Sequence, residues 1–255
     1  MSLKGQTAVI TGSGRGLGRA VALAMANADA RIALFSRTGS ELKEVAETIQ
    51  KSGGAALAVT GDVSKKTDVT RLFERTAERF GPVRILVNNA AVIGPADFLE
   101  NSEPDAWQST IDINLTGAYY CCRRAIPQMM DSGGGRIISI TSGLSRMPFP
   151  HFSAYAVSKA GIEQLTRSLS AEFKEQAILV NAVDPGVMDT PMQETIRDLG
   201  PNTLREDIHR RFVGFKESGE LNDPEEIARG IARLAASESG ITGEILSRKD
   251  LDQWP

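Results

Sequence analysis

The alternation of two kinds of segment constrains the fold of this chain more than any other feature. Short runs rich in β-branched residues alternate with longer stretches of helical period along most of the 255 residues. The runs that predict strands are Thr7–Ile10, Arg31–Phe35, Ala55–Val59, Arg84–Val87, Arg136–Ile140, Leu179–Val183 and Glu244–Leu246. The stretches that predict helices are Leu17–Ala28, Ser40–Ser52, Thr67–Phe80, and two that begin at Pro104 and Pro224 and run toward Met130 and Ala236. Because strands joined by helices lie parallel, we expect a single α/β domain built on a doubly wound parallel sheet of about seven strands, with helices on both faces.

Charge and composition narrow the classes of partner. A formal net charge of -3 and a pI of about 5.6 offer no broad attraction for nucleic acid or anionic lipid. The first apolar run follows Met1 too closely for a signal peptide, and no stretch approaches the ~20 apolar residues of a membrane span, so we expect a cytoplasmic protein. The two cysteines, Cys121 and Cys122, are adjacent, and the two histidines are far apart. The sequence therefore supports neither a disulfide framework nor a metal site.

A glycine-rich turn follows the first predicted strand. Its residues, Gly12–Gly18, let the backbone turn tightly and approach a pyrophosphate at the N-terminus of the next helix. The pattern predicts a dinucleotide cradle, although Leu17 stands where the common G-x-G-x-x-G fingerprint has its last glycine. The alternative is a turn that serves only tight packing.

The end of the second strand favours NADP over NAD. NAD-binding sheets usually place an acidic residue there for the ribose 2′-hydroxyl, whereas this chain has Ser36 and Arg37. A guanidinium can bind a 2′-phosphate with paired hydrogen bonds, and Arg15 of the glycine turn can help. The alternative is that Arg37 is an ordinary solvated arginine.

Polar residues also follow the later strands. Tyr155 and Lys159 lie four residues apart and share a helix face, a spacing that any amphipathic helix can show. A phenol is a poor base at neutral pH, and lowering its pKa by ~3 units needs about 4 kcal/mol. One ammonium at about 4 Å supplies that order of energy at an effective dielectric of ~20. The alternative is a tyrosine half-buried under a lysine whose ammonium reaches solvent.

Taken together, these residues resemble the short-chain dehydrogenase/reductase family, and the resemblance covers nearly the whole chain. The motifs that carry it are Thr11-Gly12 with Gly16 and Gly18, Asn88-Asn89-Ala90, Asn114, Ser142 thirteen residues before Tyr155, the Tyr155 to Lys159 spacing, and Pro185-Gly186 with Thr190. The resemblance implies a Rossmann-type fold and a catalytic tetrad. Tyr155 would be the proton donor or acceptor, and Lys159 would lower its pKa and hold the nicotinamide ribose. Ser142 would orient the carbonyl, and Asn114 would support a water relay to Lys159.

The residues expected to bind the cofactor come from the turns above and from the family pattern. They are Gly12, Ser13, Arg15, Gly16, Leu17, Gly18, Ser36, Arg37, Asp62, Val63, Asn89, Ala90, Tyr155, Lys159, Pro185, Gly186, Met188 and Thr190. The chain departs from the family pattern in two places. Ala91 stands where a glycine commonly follows, and the tail Ser247–Pro255 lacks the Asp-Gly-Gly of many relatives, which puts in doubt the contacts of an expected homodimer or homotetramer.

The expected substrate is a small-molecule ketone, aldehyde or alcohol. The residues predicted to line its pocket are Ile93, Met147, Phe149, His151, Phe152, Met188 and Met192, and His151 is either a substrate contact or an ordinary loop residue. The polar segment 189–222 is interpreted as a mobile lid. One alternative is a reductase of acyl-carrier-protein thioesters, which the acidic and neutral residues Asp131, Ser132, Gly133, Glu172, Glu175 and Gln176 disfavour. The other is a protein that senses NADP without turnover.

Overall fold

A seven-stranded parallel sheet forms the centre of the molecule. The computed structural model describes residues 2–252, without the side chains of residues 201 and 202. The strands are β1 (Thr7–Thr11), β2 (Arg31–Ser36), β3 (Ala55–Thr60), β4 (Val83–Asn88), β5 (Gly135–Ile140), β6 (Ile178–Asp184) and β7 (Ile245–Ser247). They pair in the order β3-β2-β1-β4-β5-β6-β7, each pair parallel. The predicted doubly wound sheet is confirmed, and each predicted strand matches within one residue at either end.

Helices connect the strands and cover both faces of the sheet. They are α1 (Gly16–Asn27), α2 (Gly39–Lys51), α3 (Lys66–Phe80), α4 (Pro104–Ile111), α5 (Gly117–Asp131), α6 (Ser153–Phe173), α7 (Pro191–Asp198), α8 (Gly200–Thr203), α9 (Glu206–Glu217), α10 (Pro224–Ala236) and α11 (Arg248–Asp252). The helix expected from Pro104 toward Met130 is interrupted by a π turn, Asp112–Thr116, which separates α4 from α5. The sequence pattern could not reveal this turn, because residues 112–116 include no proline or glycine that would mark an interruption of the helix.

Two apolar cores flank the sheet. On one face α1, α2 and α10 pack against the strands, and on the other α3 and α5 do so, with the end of α6 against them. Cys121 and Cys122 are buried in the second core, and burial raises the pKa of both thiols. Among the helices described, none combines the length and the apolar character needed to cross a membrane.

The segment expected to be a lid folds into α7, α8 and α9 at the carboxyl edge of the sheet. Its buried residues Ile196, Ile208 and Phe212 form a third apolar cluster with Phe152 and Tyr155. The unusual tail continues from β7 into α11, where Leu251 is buried and its carbonyl accepts a hydrogen bond from Arg233 Nη2 at 2.9 Å. Gln253, Trp254 and Pro255 of the tail lie outside the described residues.

Candidate active site

A cavity of about 630 Å³ runs along the carboxyl edge of the sheet, from the glycine turn to the lid segment. Residues that follow each of the first six strands line it: Gly12, Arg37, Asp62, Asn89, Ser142 and Pro185. This is the edge at which open α/β sheets bind their ligands. All of the expected cofactor residues line the cavity except Ser13 and Gly18.

The glycine turn is held by close backbone contacts. Gly12 and Gly16 have φ values of 65° and 53°, which L side chains rarely adopt. A Cβ at Gly18 would lie 2.2 Å from the Gly12 carbonyl oxygen, so this glycine permits packing behind the cavity. Ser13 also acts behind it, because its hydroxyl accepts a hydrogen bond from the Phe35 backbone N–H at 2.9 Å. The turn thus presents the N-terminus of α1 to the cavity, which suits an anionic pyrophosphate.

Asn89 joins the ends of β1 and β4. Its side-chain amide donates to the carbonyl oxygens of Thr11 at 2.9 Å and Gly12 at 3.1 Å. The Thr11 hydroxyl in turn accepts hydrogen bonds from the backbone N–H groups of Asn89 and Ala90, at 3.0 and 3.1 Å. These contacts set the width of the cavity at the point where the sheet order reverses between β1 and β4.

The adenosine end of the cavity has two basic side chains, Arg15 and Arg37, and two acidic ones, Glu41 and Asp62. Arg15 and Arg37 are exposed, and within residues 2–252 neither forms an ion pair. The sequence reasoning missed Glu41, in the first turn of α2, which also lines the cavity. A Cβ at Gly14 would lie 2.6 Å from Glu41 Oε2 and 3.3 Å from Ser36 Oγ, so the Glu41 carboxylate lies directly over the glycine turn.

The cavity and its cradle fit a dinucleotide. The glycine turn presents the N-terminus of α1 to the cavity, which suits a pyrophosphate, and Arg15 and Arg37 line the same cavity. Asp62, Asn89 and the other residues at the strand ends would line the path of the dinucleotide between these two subsites.

The predicted tetrad is brought together around the middle of the cavity. Tyr155 and Lys159 lie on α6, with Lys159 Nζ 5.5 Å from the centroid of the Tyr155 ring. Ser142 begins the 3₁₀ turn after β5, where its hydroxyl accepts from the Leu144 backbone N–H at 3.3 Å. Lys159 Nζ donates to the Ile140 carbonyl oxygen at 2.7 Å. Three of the four tetrad side chains therefore share one wall of the cavity.

Asn114 lies behind this wall, in the π turn. Its side-chain amide donates to the Val92 carbonyl oxygen at 2.9 Å and to Ser158 Oγ at 3.0 Å, and its Oδ1 accepts from the Val92 backbone N–H at 2.8 Å. A second, much smaller cavity of about 10 Å³ lies between Asn114 and Lys159. That volume is close to the smallest that holds one water molecule.

Burial dominates the electrostatics of the pair on α6. It raises the pKa of Tyr155 to about 12, a shift that the Asp184 charge reinforces and the hydrogen bond with Ser142 opposes. It also lowers the pKa of Lys159 to about 8. The expected net lowering of the Tyr155 pKa is not met in this structure, because burial is the largest cause of the shift and Lys159 is not among its causes.

A charge cluster next to the tetrad was not predicted. Arg146 Nη1 contacts Glu163 Oε1 at 2.8 Å, and Arg146 Nη2 contacts the Asp184 carboxylate. Glu163 is buried on α6 and also accepts hydrogen bonds from Ser145 Oγ at 2.5 Å and Thr141 Oγ1 at 3.2 Å. Arg146 thus connects the turn that carries Ser142 to both α6 and β6.

The substrate end of the cavity is mostly apolar. Five of the seven predicted residues line it, namely Ile93, Met147, Phe149, Met188 and Met192. The prediction is wrong for the other two. Phe152 is fully buried behind Phe149 and Phe212, and His151 is buried with its ring 4.5 Å from that of Phe98. Residues of α7 and α9 that were not predicted also line it, because the positions of these helices depend on tertiary packing: Gln193, Thr195, Ile196, Arg211, Phe212 and Phe215.

Known proteins resemble this chain along most of its length. Residues 6–199 match the family model described as short chain dehydrogenase. The chain is 38% identical over 250 residues to 3beta-hydroxysteroid dehydrogenase 1 of Eggerthella lenta, covering 96% of this chain and 92% of that protein. It is 33% identical over 243 residues to cis-4-hydroxycyclohexanecarboxylate dehydrogenase of Sinomonas cyclohexanicum, covering 95% and 94% of the two chains.

A solved structure extends the likeness to three dimensions. The L-sorbose reductase of Gluconobacter frateurii, complexed with NADPH and L-sorbose, superposes with a TM-score of 0.86 at 29% sequence identity, covering 97% of this chain and 96% of that one. The match of the family model, the identity to curated relatives and the shared fold all agree. The chain therefore belongs to the short-chain dehydrogenase/reductase family of oxidoreductases.

Proposed function

We propose that the protein is an NADP(H)-dependent oxidoreductase that interconverts a small-molecule carbonyl compound and its alcohol, with Tyr155 as the acid and base. The observation that carries this proposal is the position of Tyr155, Lys159 and Ser142 on one wall of a cavity that continues to the glycine turn. When bound, the nicotinamide supplies or accepts the hydride. The chain's own residues orient the substrate and move the proton.

In the reducing direction the chain supplies a proton to the carbonyl oxygen. Ser142 Oγ donates a hydrogen bond to that oxygen, and Tyr155 donates its phenolic proton as negative charge develops there. The phenol is protonated at neutral pH and so has a proton to donate, while burial raises its pKa and makes it a weaker acid than an exposed tyrosine.

In the oxidising direction Tyr155 must release a proton toward solvent. Lys159 and the small cavity beside Asn114 offer a path for it, with Asn114 as a positioning residue held by Val92 and Ser158. The lowered pKa of Lys159 supports this role, since a group that titrates near pH 8 can give and take a proton in the neutral range.

The preference for NADP over NAD rests on Arg15 and Arg37. Both line the adenosine end of the cavity with their guanidinium groups unpaired among the described residues, and the similar L-sorbose reductase was solved with NADPH. Glu41 opposes this preference, because a carboxylate repels a 2′-phosphate. Titration of the protein with NADPH and NADH separately measures the balance, and equal affinities contradict the proposed preference.

The apolar substrate end suits a carbonyl compound of small to medium size. Two relatives are named for ring alcohols, a hydroxysteroid and a hydroxycyclohexanecarboxylate, which supports a secondary alcohol or ketone. An acyl-carrier-protein thioester stays the alternative substrate, and the exposed Glu172 and Glu175 disfavour an acidic carrier. Titration of the protein with an acyl carrier protein tests it, and measurable binding supports the alternative.

Turnover separates an enzyme from an NADP-sensing protein. We expect NADPH to be consumed with at least one member of a panel of ketones and aldehydes, as followed by NADPH absorbance. Tyr155→Phe removes the proton donor, so kcat falls by at least about 10²-fold while NADPH affinity is retained. Unchanged turnover in this variant contradicts the mechanism, and absence of turnover across the panel favours the sensing protein.

The homodimer or homotetramer and the cytoplasmic location stay predictions. Light scattering tests the oligomeric state.

A further inference from the structure

Arg205 lies just before α9, and Arg210 and Arg211 lie within it. The surroundings of Arg211 differ from those of the other two. Arg205 Nη2 contacts Asp207 at 2.5 Å, and Arg210 Nη2 contacts Glu206 at 2.6 Å. Arg211 forms no ion pair with any residue in the described part of the chain. Instead, its guanidinium carbon lies 5.5 Å from the centroid of the Phe149 ring and 5.7 Å from that of Phe215.

These two rings hold the Arg211 side chain at the substrate end of the cavity. Arg211, Phe149 and Phe215 all line it, and most of the other lining side chains at this end are apolar: Ile93, Leu144, Met147, Met188, Met192, Ile196 and Phe212. An arginine stacked on aromatic rings loses little further rotamer freedom when it binds a ligand. Its outer N–H groups remain free for paired hydrogen bonds to a carboxylate.

The acidic groups of the cavity lie elsewhere or are already paired. Glu41 and Asp62 follow β2 and β3 at the adenosine end, and Asp184 contacts Arg146. Among the described residues, no other acidic side chain lines the cavity. The charge of Arg211 is therefore the one that a substrate meets at the apolar end.

We propose that Arg211 binds a carboxylate of the substrate, so that the enzyme acts on carbonyl compounds with an apolar body and an anionic group remote from the reacting carbon. This proposal rests on the proposed function, which supplies the carbonyl at Tyr155. A neutral ketone of the same shape fits the apolar walls equally well but leaves the guanidinium without its partner.

Binding to the enzyme saturated with NADP⁺ tests the proposal without turnover, because a ketone and NADP⁺ are both oxidised and cannot react together. The probes are 4-acetylbenzoate and its neutral methyl ester, titrated by calorimetry. We expect the acid to bind about fivefold tighter than the ester, because Arg211 is exposed and solvent screens its contact with the carboxylate. Arg211→Gln removes this preference. Arg210→Gln, a neighbouring arginine that does not line the cavity, retains it.

Turnover with NADPH provides the second readout. The acid is expected to have the lower KM at similar kcat, because the carboxylate contact is the same in the ground state and the transition state. Equal affinity for the two probes, no measurable binding of the acid, or a preference that survives Arg211→Gln overturns the proposal. Reduction of the ester alone also overturns it while leaving the oxidoreductase function intact. If the proposed function is wrong, no carbonyl compound is turned over, while calorimetry still shows tighter binding of the acid than of the ester.

Discussion

Replacing Arg146 by methionine removes the cation shared by two carboxylates beside the tetrad. Glu163 then keeps its hydrogen bonds from Ser145 and Thr141 but loses the 2.8 Å contact that balances its charge. Asp184 loses its partner as well. We expect the variant to fold with reduced stability, and the turn carrying Ser142 to be less firmly held.

The size of the loss follows from burial. The Glu163 side chain is only 4% exposed, and breaking a buried pair by removing one partner costs about 3–5 kcal/mol. Arg146 itself is 45% exposed, so solvent screens the contact and reduces the expected loss to about 2 kcal/mol. For a chain of this size that corresponds to a fall in Tm of about 4–8 °C.

Thermal unfolding of Arg146→Met, Glu163→Gln and the double variant measures the coupling. Because Glu163→Gln removes the charge that keeps only the longer Arg167 contact in Arg146→Met, the double variant is expected to lose less stability than the two single losses added together. Arg167→Met is the matched control, since Arg167 contacts the same carboxylate at 3.5 Å from a 49% exposed position and should cost under about 1 kcal/mol. Strict additivity, or a loss for Arg146→Met no greater than that of the control, refutes the reasoning.

Three further predictions concern the cofactor end and α6. Between about pH 8 and the ordinary lysine value of 10.5, the unfolded chain binds a proton at Lys159 that the folded chain does not. The free energy of unfolding of the natural protein should therefore rise by about 3 kcal/mol across this window relative to that of Lys159→Met. Denaturant titrations at several pH values measure this difference. A difference between the two proteins that does not change with pH would count against the buried lysine. Arg37→Asp should shift the ratio of NADPH to NADH affinity toward NADH by up to about 1.5–3 kcal/mol, whereas Glu41→Gln should shift this ratio toward NADPH. Fluorescence titrations measure both affinities. Shifts in the opposite direction, or none, would contradict the assignment of this subsite. Gly18→Ala should destabilise the fold and weaken binding of both cofactors alike, because the added Cβ would collide with the Gly12 carbonyl. A variant with unchanged Tm and unchanged cofactor affinity would argue against that packing.

The features that could be predicted from the sequence are those that depend on patterns of residues close together along the chain. Strands buried on both faces appear as short apolar runs, which is why the bounds of β1 to β7 match so closely. The turns after these strands could then be placed at one edge of the sheet, and most of the expected cofactor residues do line the cavity there.

The features that were missed depend on contacts between distant segments. Arg146 lies 17 residues from Glu163 and 38 from Asp184, and nothing in the local sequence joins them. Arg211 is one of three arginines close together, and only the placement of α9 against Phe149 distinguishes it. The direction of the Tyr155 pKa shift likewise depended on the degree of burial, which spacing along a helix does not give.

The π turn at Asp112–Thr116 limits how the length of this chain can change in evolution. Each residue of an α-helix advances the chain by about 100°, so removing one residue here would join α4 and α5 into a regular helix. Either Asn114 would then turn away from Val92, or the buried face of α5 around Cys121 would turn away from the sheet. Because both contacts depend on the same extra residue, we expect a deletion within this turn to destabilise the fold more than a substitution at an exposed position of α4 or α5.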